Sequence, residues 1–191
     1  MTKGIARIML VIAASLLSAT NVSAQMVAAS TDVAMDAMRA PSLGVELVMG
    51  KKSTLSISGL YAGNALGKDI RIAALQPEWR VYMSGRPMFH HYVGLAGLLA
   101  SYKAKHVAGK VYDGDAAGLG LSYGYVLPIT QRFLVDFHTS LGLIFYHQKE
   151  YFVGDDYDTH HKNSDGNPYA NARGSLLAPL RIGIALTYII K

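Results

Sequence analysis

Four stretches of this chain alternate apolar residues with small or polar ones. The clearest runs from Leu180 to Ile190. Its even positions are Leu180, Ile182, Ile184, Leu186, Tyr188 and Ile190; its odd positions are Arg181, Gly183, Ala185, Thr187 and Ile189. A period of two predicts a strand with two unlike faces. Such a stretch is also about as long as the 9–11 residues with which a tilted strand crosses a bilayer.

Seven further strands can be placed. The first, Val27 to Met38, sets Asp32 and Asp36 against Val33 and Met35, and Pro41-Ser42 ends it. The second, Leu43 to Met49, sets Leu43, Val45, Leu47 and Met49 against Gly44, Glu46 and Val48. The third, Thr54 to Tyr61, sets Leu55, Ile57 and Tyr61 against Thr54, Ser56 and Ser58. The fourth, Ile70 to Tyr82, carries Leu75, Pro77, Trp79 and Val81 on one face and Ala74, Gln76, Glu78 and Arg80 on the other. Pro77 counts against it, because proline cannot donate to a ladder. The fifth, Phe89 to Lys103, is rich in Gly and Ala, with Val93, Leu95 and Leu99 outward. The sixth, Ala116 to Leu127, sets Leu119, Leu121, Tyr123, Tyr125 and Leu127 against Gly118, Gly120, Ser122 and Gly124. The seventh, Arg132 to Tyr146, sets Phe133, Val135, Phe137, Leu141, Leu143 and Phe145 against Asp136, His138, Ser140 and Gly142.

The connections follow a pattern of their own. Gly50 to Ser53, Ser84 to Pro87 and Pro128 to Gln131 are tight turns after the second, fourth and sixth strands. Gly63 to Asp69, Ala104 to Asp115 and the polar Gln148 to Leu177 are longer; only Pro41-Ser42 is short where a long loop is expected. Short turns at one end and long loops at the other are the layout of an outer-membrane barrel. Alternation alone does not say which face is inside. The less apolar face is mainly Gly, Ala and Ser, which suits a narrow lumen, and the opposite face is Leu, Ile, Val, Phe and Tyr, which suits lipid. The expected fold is all-β: an eight-stranded antiparallel up-and-down transmembrane β-barrel, closed because hydrocarbon offers no partner to a free backbone group.

The start of the chain reads as a leader. Lys3 and Arg7 precede the apolar run Ile8 to Ala19, and Val22-Ser23-Ala24 is a small-residue cleavage motif. Residues 1–24 are thus expected to be a signal peptide and 25–191 the barrel, in the outer membrane of a Gram-negative cell. There is no cysteine, so neither a lipid anchor nor a disulfide is available. Without Lys3 and Arg7, 16 basic residues face 13 acidic ones, too even and too scattered for nucleic-acid binding.

The inward face supplies the candidate chemistry. Glu46, Gln76, Glu78, Arg80, Asp136, His138 and Arg181 share it, with Asp32 from the first strand. Buried charges must pair, so these residues are expected to form a structural network that fills the lumen. Glu78, Arg80 and Asp136 lie near the short turns and can meet; Arg181, in the other half, needs another acid, with Glu46 the candidate. Asp155, Asp156, Asp158, Asp165 and His160-His161 crowd the last loop, but their spacing is not that of a calcium loop. His90-His91 at a strand start is expected at the membrane interface. Ser140 and His138 both face the lumen, and no nucleophile elbow or phosphate loop exists. No catalytic residue, metal or cofactor is expected.

Pro41-Ser42-Leu43-Gly44-Val45-Glu46, Gln76-Pro77-Glu78-Trp79-Arg80, Leu121-Ser122-Tyr123-Gly124-Tyr125 and Tyr188-Ile189-Ile190-Lys191 together resemble the DUF3575 family, found largely in Bacteroidetes. The resemblance implies a small outer-membrane barrel of unknown function and no catalytic residues. The expected role is a non-enzymatic scaffold in outer-membrane lipid, meeting a surface partner through residues 148–177. The alternatives are a narrow transport channel and a soluble periplasmic lipid-binding barrel.

Overall fold

A computed structural model describes residues 26–63, 70–105, 110–152 and 172–190. The expected leader, residues 1–24, lies outside them. Eight strands follow in chain order: β1 (Val27–Asp32), β2 (Ser42–Val48), β3 (Ser53–Ala62), β4 (Ile70–Tyr82), β5 (His90–Lys105), β6 (Lys110–Pro128), β7 (Phe133–Phe152) and β8 (Ala172–Ile189). Each pairs antiparallel with its neighbour, and β1 pairs with β8, so the sheet closes into a barrel. Among the described residues no helix is long and apolar enough to cross a membrane, which says nothing against strands.

The alternation sorts the side chains as the pattern predicts. Leu119, Leu121, Leu141, Phe145 and Ile182 stand exposed on the outer wall, Leu121 at 69%. Thr54, Ser56, Ser58, Glu78, Arg80, Asp136 and His138 are buried on the inner one. Pro77 sits on β4 facing Ile57 of β3. Gly120 and Gly142 lie directly opposite each other. A Cβ on Gly120 would come within 2.2 Å of the Leu141 carbonyl, so here the walls approach too closely for a side chain.

Three elements depart from expectation. The first strand ends at Asp32 rather than Met38, and a short helix, α1 (Val33–Ala37), replaces its second half. The cause is local. Asp32 takes the N-cap position and accepts from the amides of Ala34 and Met35 at 3.1 and 3.3 Å. Asp36 accepts from Thr31 Oγ1 and from the Ser42 amide, which folds the turn back onto the strand ends. Second, residues read as loop belong to strands: β6 begins at Lys110, β7 runs to Phe152 and β8 starts at Ala172. The remainder of the expected last loop, residues 153–171 with its Asp and His cluster, is outside the described residues.

Third, β8 carries a bulge. Ser140 pairs with Arg181 while Leu141 pairs with Pro179, leaving Leu180 over as the extra residue. Leu180, expected on the lipid face, is buried inside, so it and Arg181 both point into the barrel. Pro179, which has no amide hydrogen to give, occupies the rung beside the irregularity.

Candidate functional site

All eight strands send polar side chains into the lower half of the lumen, toward the tight turns. Alternation places Glu46 on β2, Glu78 and Arg80 on β4, and Asp136 and His138 on β7 on the same inner face. Arg80 is the centre. Its Nη1 lies 3.1 Å from Glu46 Oε2 and 2.9 Å from Asp136 Oδ2, and its Nη2 lies 2.7 Å from Glu78 Oε2. One guanidinium thus ties three strands across the lumen. Its planar fork can do this where a lysine ammonium could not. The Tyr92 ring lies against its face, 4.6 Å from ring centroid to Cζ.

Tyrosines and hydroxyls complete the cluster. Tyr82 Oη donates to Glu46 Oε1 at 2.8 Å, and Thr54 Oγ1 donates to the same oxygen at 2.6 Å. Tyr92 Oη donates to Asp136 Oδ1 at 3.2 Å. Tyr82 and Tyr92 join the expected inward set only in the structure. Parity with Arg80 would have found Tyr82. Tyr92 hides in the Gly- and Ala-rich fifth strand, although its position one residue before the outward Val93 marks it as inward. Its ring lies where a Cβ on Gly124 would stand, 2.4 Å from Cζ, so Gly124 is the space that admits the tyrosine.

A second group sits above the first. Arg181 does not meet Glu46, as the sequence suggested. Its Nη2 lies 3.7 Å from Asp32 Oδ2 and its Nη1 lies 3.9 Å from Glu78 Oε2. The reason is register. Asp32 pairs with Ala185 on β8, and its carboxylate occupies the space over Gly183, where an added Cβ would be 2.3 Å from Oδ2. Glu46 is already held by Arg80, Tyr82 and Thr54. His138 Nε2 lies 2.9 Å from Asp32 Oδ2, off the hydrogen-bonding direction, and Nδ1 lies 3.8 Å from Asp136 Oδ2. Gln76 ties the bulge to β4 by donating to the Leu180 carbonyl at 3.1 Å.

Four carboxylates (Asp32, Glu46, Glu78, Asp136) therefore share two guanidinium groups and one imidazole. Among the described residues Glu78 Oε1, Ser122 Oγ and both His138 nitrogens have no hydrogen-bond partner. A void of about 10 Å³ bounded by Gln76, Glu78, His138, Ser140 and Arg181 is the size of one water molecule. A larger recess, about 530 Å³, is elsewhere. It spans three rungs of β4 to β7 around Ala74, Ala100, Ala116 and Tyr146, contains none of the cluster and is lined mainly by apolar groups.

Chemically the cluster is a plug. Ser140 Oγ donates to the Arg181 carbonyl at 3.3 Å and His138 faces Asp32, so these two do not make a nucleophile–base pair. Among the described residues no three His, Cys, Asp or Glu side chains gather to hold a metal ion. At the turn end of the outer wall His91 Nδ1 lies 2.8 Å from Tyr123 Oη, and His90 stacks on Phe89 at 3.8 Å between centroids. Phe133 and Tyr188 pack against each other at 4.9 Å on the same rim.

Over residues 8–190 the chain matches the family described as "Protein of unknown function (DUF3575)". No curated protein and no solved structure matches it.

Proposed function

The chain belongs to the DUF3575 family, and we propose that it works as an outer-membrane barrel with a sealed lumen, a non-enzymatic scaffold for surface contacts. One observation carries the reading: apolar side chains ring the outside, and a cluster of charged ones is buried inside. Leu43, Trp79, Leu121, Leu143 and Ile182 are all at least half exposed, while Asp32, Glu46, Glu78, Arg80 and Asp136 are buried. A soluble barrel of this size would need the reverse, since monomeric soluble proteins rarely expose apolar patches beyond a few hundred Å². Aromatic residues at the tight-turn rim, Phe133 and Tyr188 with Tyr123 and Tyr125 above them, supply the belt expected where a barrel meets headgroups.

The plug supports a scaffold over a channel. Arg80 reaches from Glu46 on β2 to Asp136 on β7, so the cross-section at that level is filled by paired charges. What remains for interaction is the long-loop end, above all residues 148–177, and a surface protein is its proposed partner. The charged positions Lys103 and Asp113, 3.1 Å apart, already mark that end as wet.

Two measurements test this. Unboiled protein in detergent should migrate differently from boiled protein, as a barrel that resists detergent does, and planar bilayers should show no unit conductance. A barrel that stays in the aqueous phase without lipid would sink the membrane assignment. Discrete current steps would replace the scaffold with a channel.

A further inference from the structure

The barrel wall is of unequal height. At the tight-turn end neighbouring strands finish on adjacent rungs, Val48 against Thr54, Tyr82 against Tyr92 and Pro128 against Leu134. That rim is level. At the opposite end β1 and β2 stop after 6 and 7 residues, whereas β6, β7 and β8 continue for 19, 20 and 18. β1 leaves the sheet at the rung Asp32–Ala185; above it β8 continues to Ala172 paired with β7 only, and α1 packs against β8 beside the end of β1.

A tilted strand needs about 9–11 residues to cross the apolar band of a membrane, so β1 and β2 stop inside it. The tall wall marks the upper edge of the band. On β7 the outer face stays apolar through Leu143 and Phe145 before His147 and Lys149; on β6 it passes from Leu119 and Ala117 to Asp115. The β1–β2 connection lies below that edge. Asp36 ties it down to Thr31 and Ser42, and Val33 and Met38 stand exposed on its lip.

Opposite the low wall, the inner face changes character. Below, it carries the plug. Above, alternation brings Leu98, Ala100, Ala116, Ile144, Ala178 and Leu180 inward. Leu180 Cδ2 and Ile144 Cγ1 lie 2.8 and 3.3 Å from where a Cβ on Gly118 would stand, which places both side chains in the lumen. Leu176, on the rung with Ile144, is 45% exposed beside Leu177 at 66%. This part of the tall wall is therefore apolar on both faces. An inner face wetted by water gains nothing from leucine and isoleucine, whereas covering them with an apolar group takes their surface out of water.

We propose that an acyl chain of the surrounding bilayer enters over the low β1–β2 wall and lies against Leu98, Ala100, Ala116 and Ile144, with the plug as its floor. The site is lateral: its ligand arrives from the membrane plane, not from the aqueous phase. Lipid is the occupant because, among the described residues, the gap opens at the depth of the hydrocarbon and its apolar lining is continuous with the lipid-facing belt. The proposal rests on the outer-membrane reading above.

Trp79 is the only tryptophan and stands on the outer wall, which makes the test direct. The full chain is folded into phospholipid vesicles with brominated acyl chains, and tryptophan emission is read. In the native protein Trp79 should lose most of its emission. In Trp79→Phe carrying Ile144→Trp, the inward tryptophan should lose emission to a comparable extent and be insensitive to iodide in the water. Ala100→Trp in the same background repeats the test should the first variant not fold. An inward tryptophan untouched by bromine, or quenched by iodide, overturns the lateral site while a quenched Trp79 leaves the membrane reading standing. A native Trp79 that bromine does not reach defeats the membrane reading and the site with it.

Discussion

Arg80 shows how much a single side chain carries here. It is 3% exposed and pairs with carboxylates from β2, β4 and β7 at once. A buried ion pair gains little over a well-packed apolar core, but removing one partner leaves a charge that neither water nor counterion reaches. Arg80→Met, similar in volume, should therefore cost about 3–5 kcal/mol, measured as a lower urea midpoint for unfolding from vesicles. Arg80→Lys keeps the charge without the fork and should fall between the two. An unchanged midpoint for the methionine variant would remove the network as a source of stability. The residues of this plug were legible because each sits in an unbroken alternation: Gln76, Glu78 and Arg80 follow one another at every second position. Their partners were not legible. Which acid meets Arg181 depends on the register of β1 against β8, and that is set by the whole ring of pairings.

At the scale of elements, the alternation gives β4 its observed ends, Ile70 and Tyr82, since its two faces differ throughout. The end of β1 is not visible in the pattern because Asp32 and Asp36 are four apart. That spacing satisfies both a strand face and a helix turn, and only the capping bonds of Asp32 decide between them. The strand tops of β6 to β8 are hidden for a different reason. Asp113, Gly114 and Asp115 resemble turn chemistry, and above the apolar belt both faces of a strand can be wet, so alternation disappears. The bulge at Leu180 left no trace, as a leucine fits either face. Asp32 invites a test at this scale, because it caps α1 and also stands beside His138 and Arg181. Asp32→Asn keeps a capping side chain and loses the charge; Asp32→Ala loses both. The alanine variant should be less stable than the asparagine one by about 1 kcal/mol, the usual worth of an N-cap. Equal midpoints in denaturant would show that α1 adds nothing.

For the whole molecule the outer wall makes the sharpest prediction. Leu121 is exposed in the middle of the apolar belt. On a soluble protein Leu121→Arg would change stability by no more than about 0.5 kcal/mol. In a bilayer the same change should cost about 2–4 kcal/mol, because the guanidinium is set near the midplane. Folding titrations in urea, with and without vesicles, separate the two outcomes. The seam between β1 and β8 has a further consequence, for the kinetics of folding. It joins Ala28 to Ile189, almost the full span of the chain, through five paired rungs. Closing so long a loop adds little in free energy, since each doubling costs only about 0.6 kcal/mol, but it slows the search, as distant pairings do. Every other hairpin can zip locally; this contact has to wait for all of them. Until it forms, the nascent sheet has two bare edges, each a template for a foreign strand. Aggregation competes with this last step, and the few residues from Ala28 to Asp32 determine how long that competition lasts.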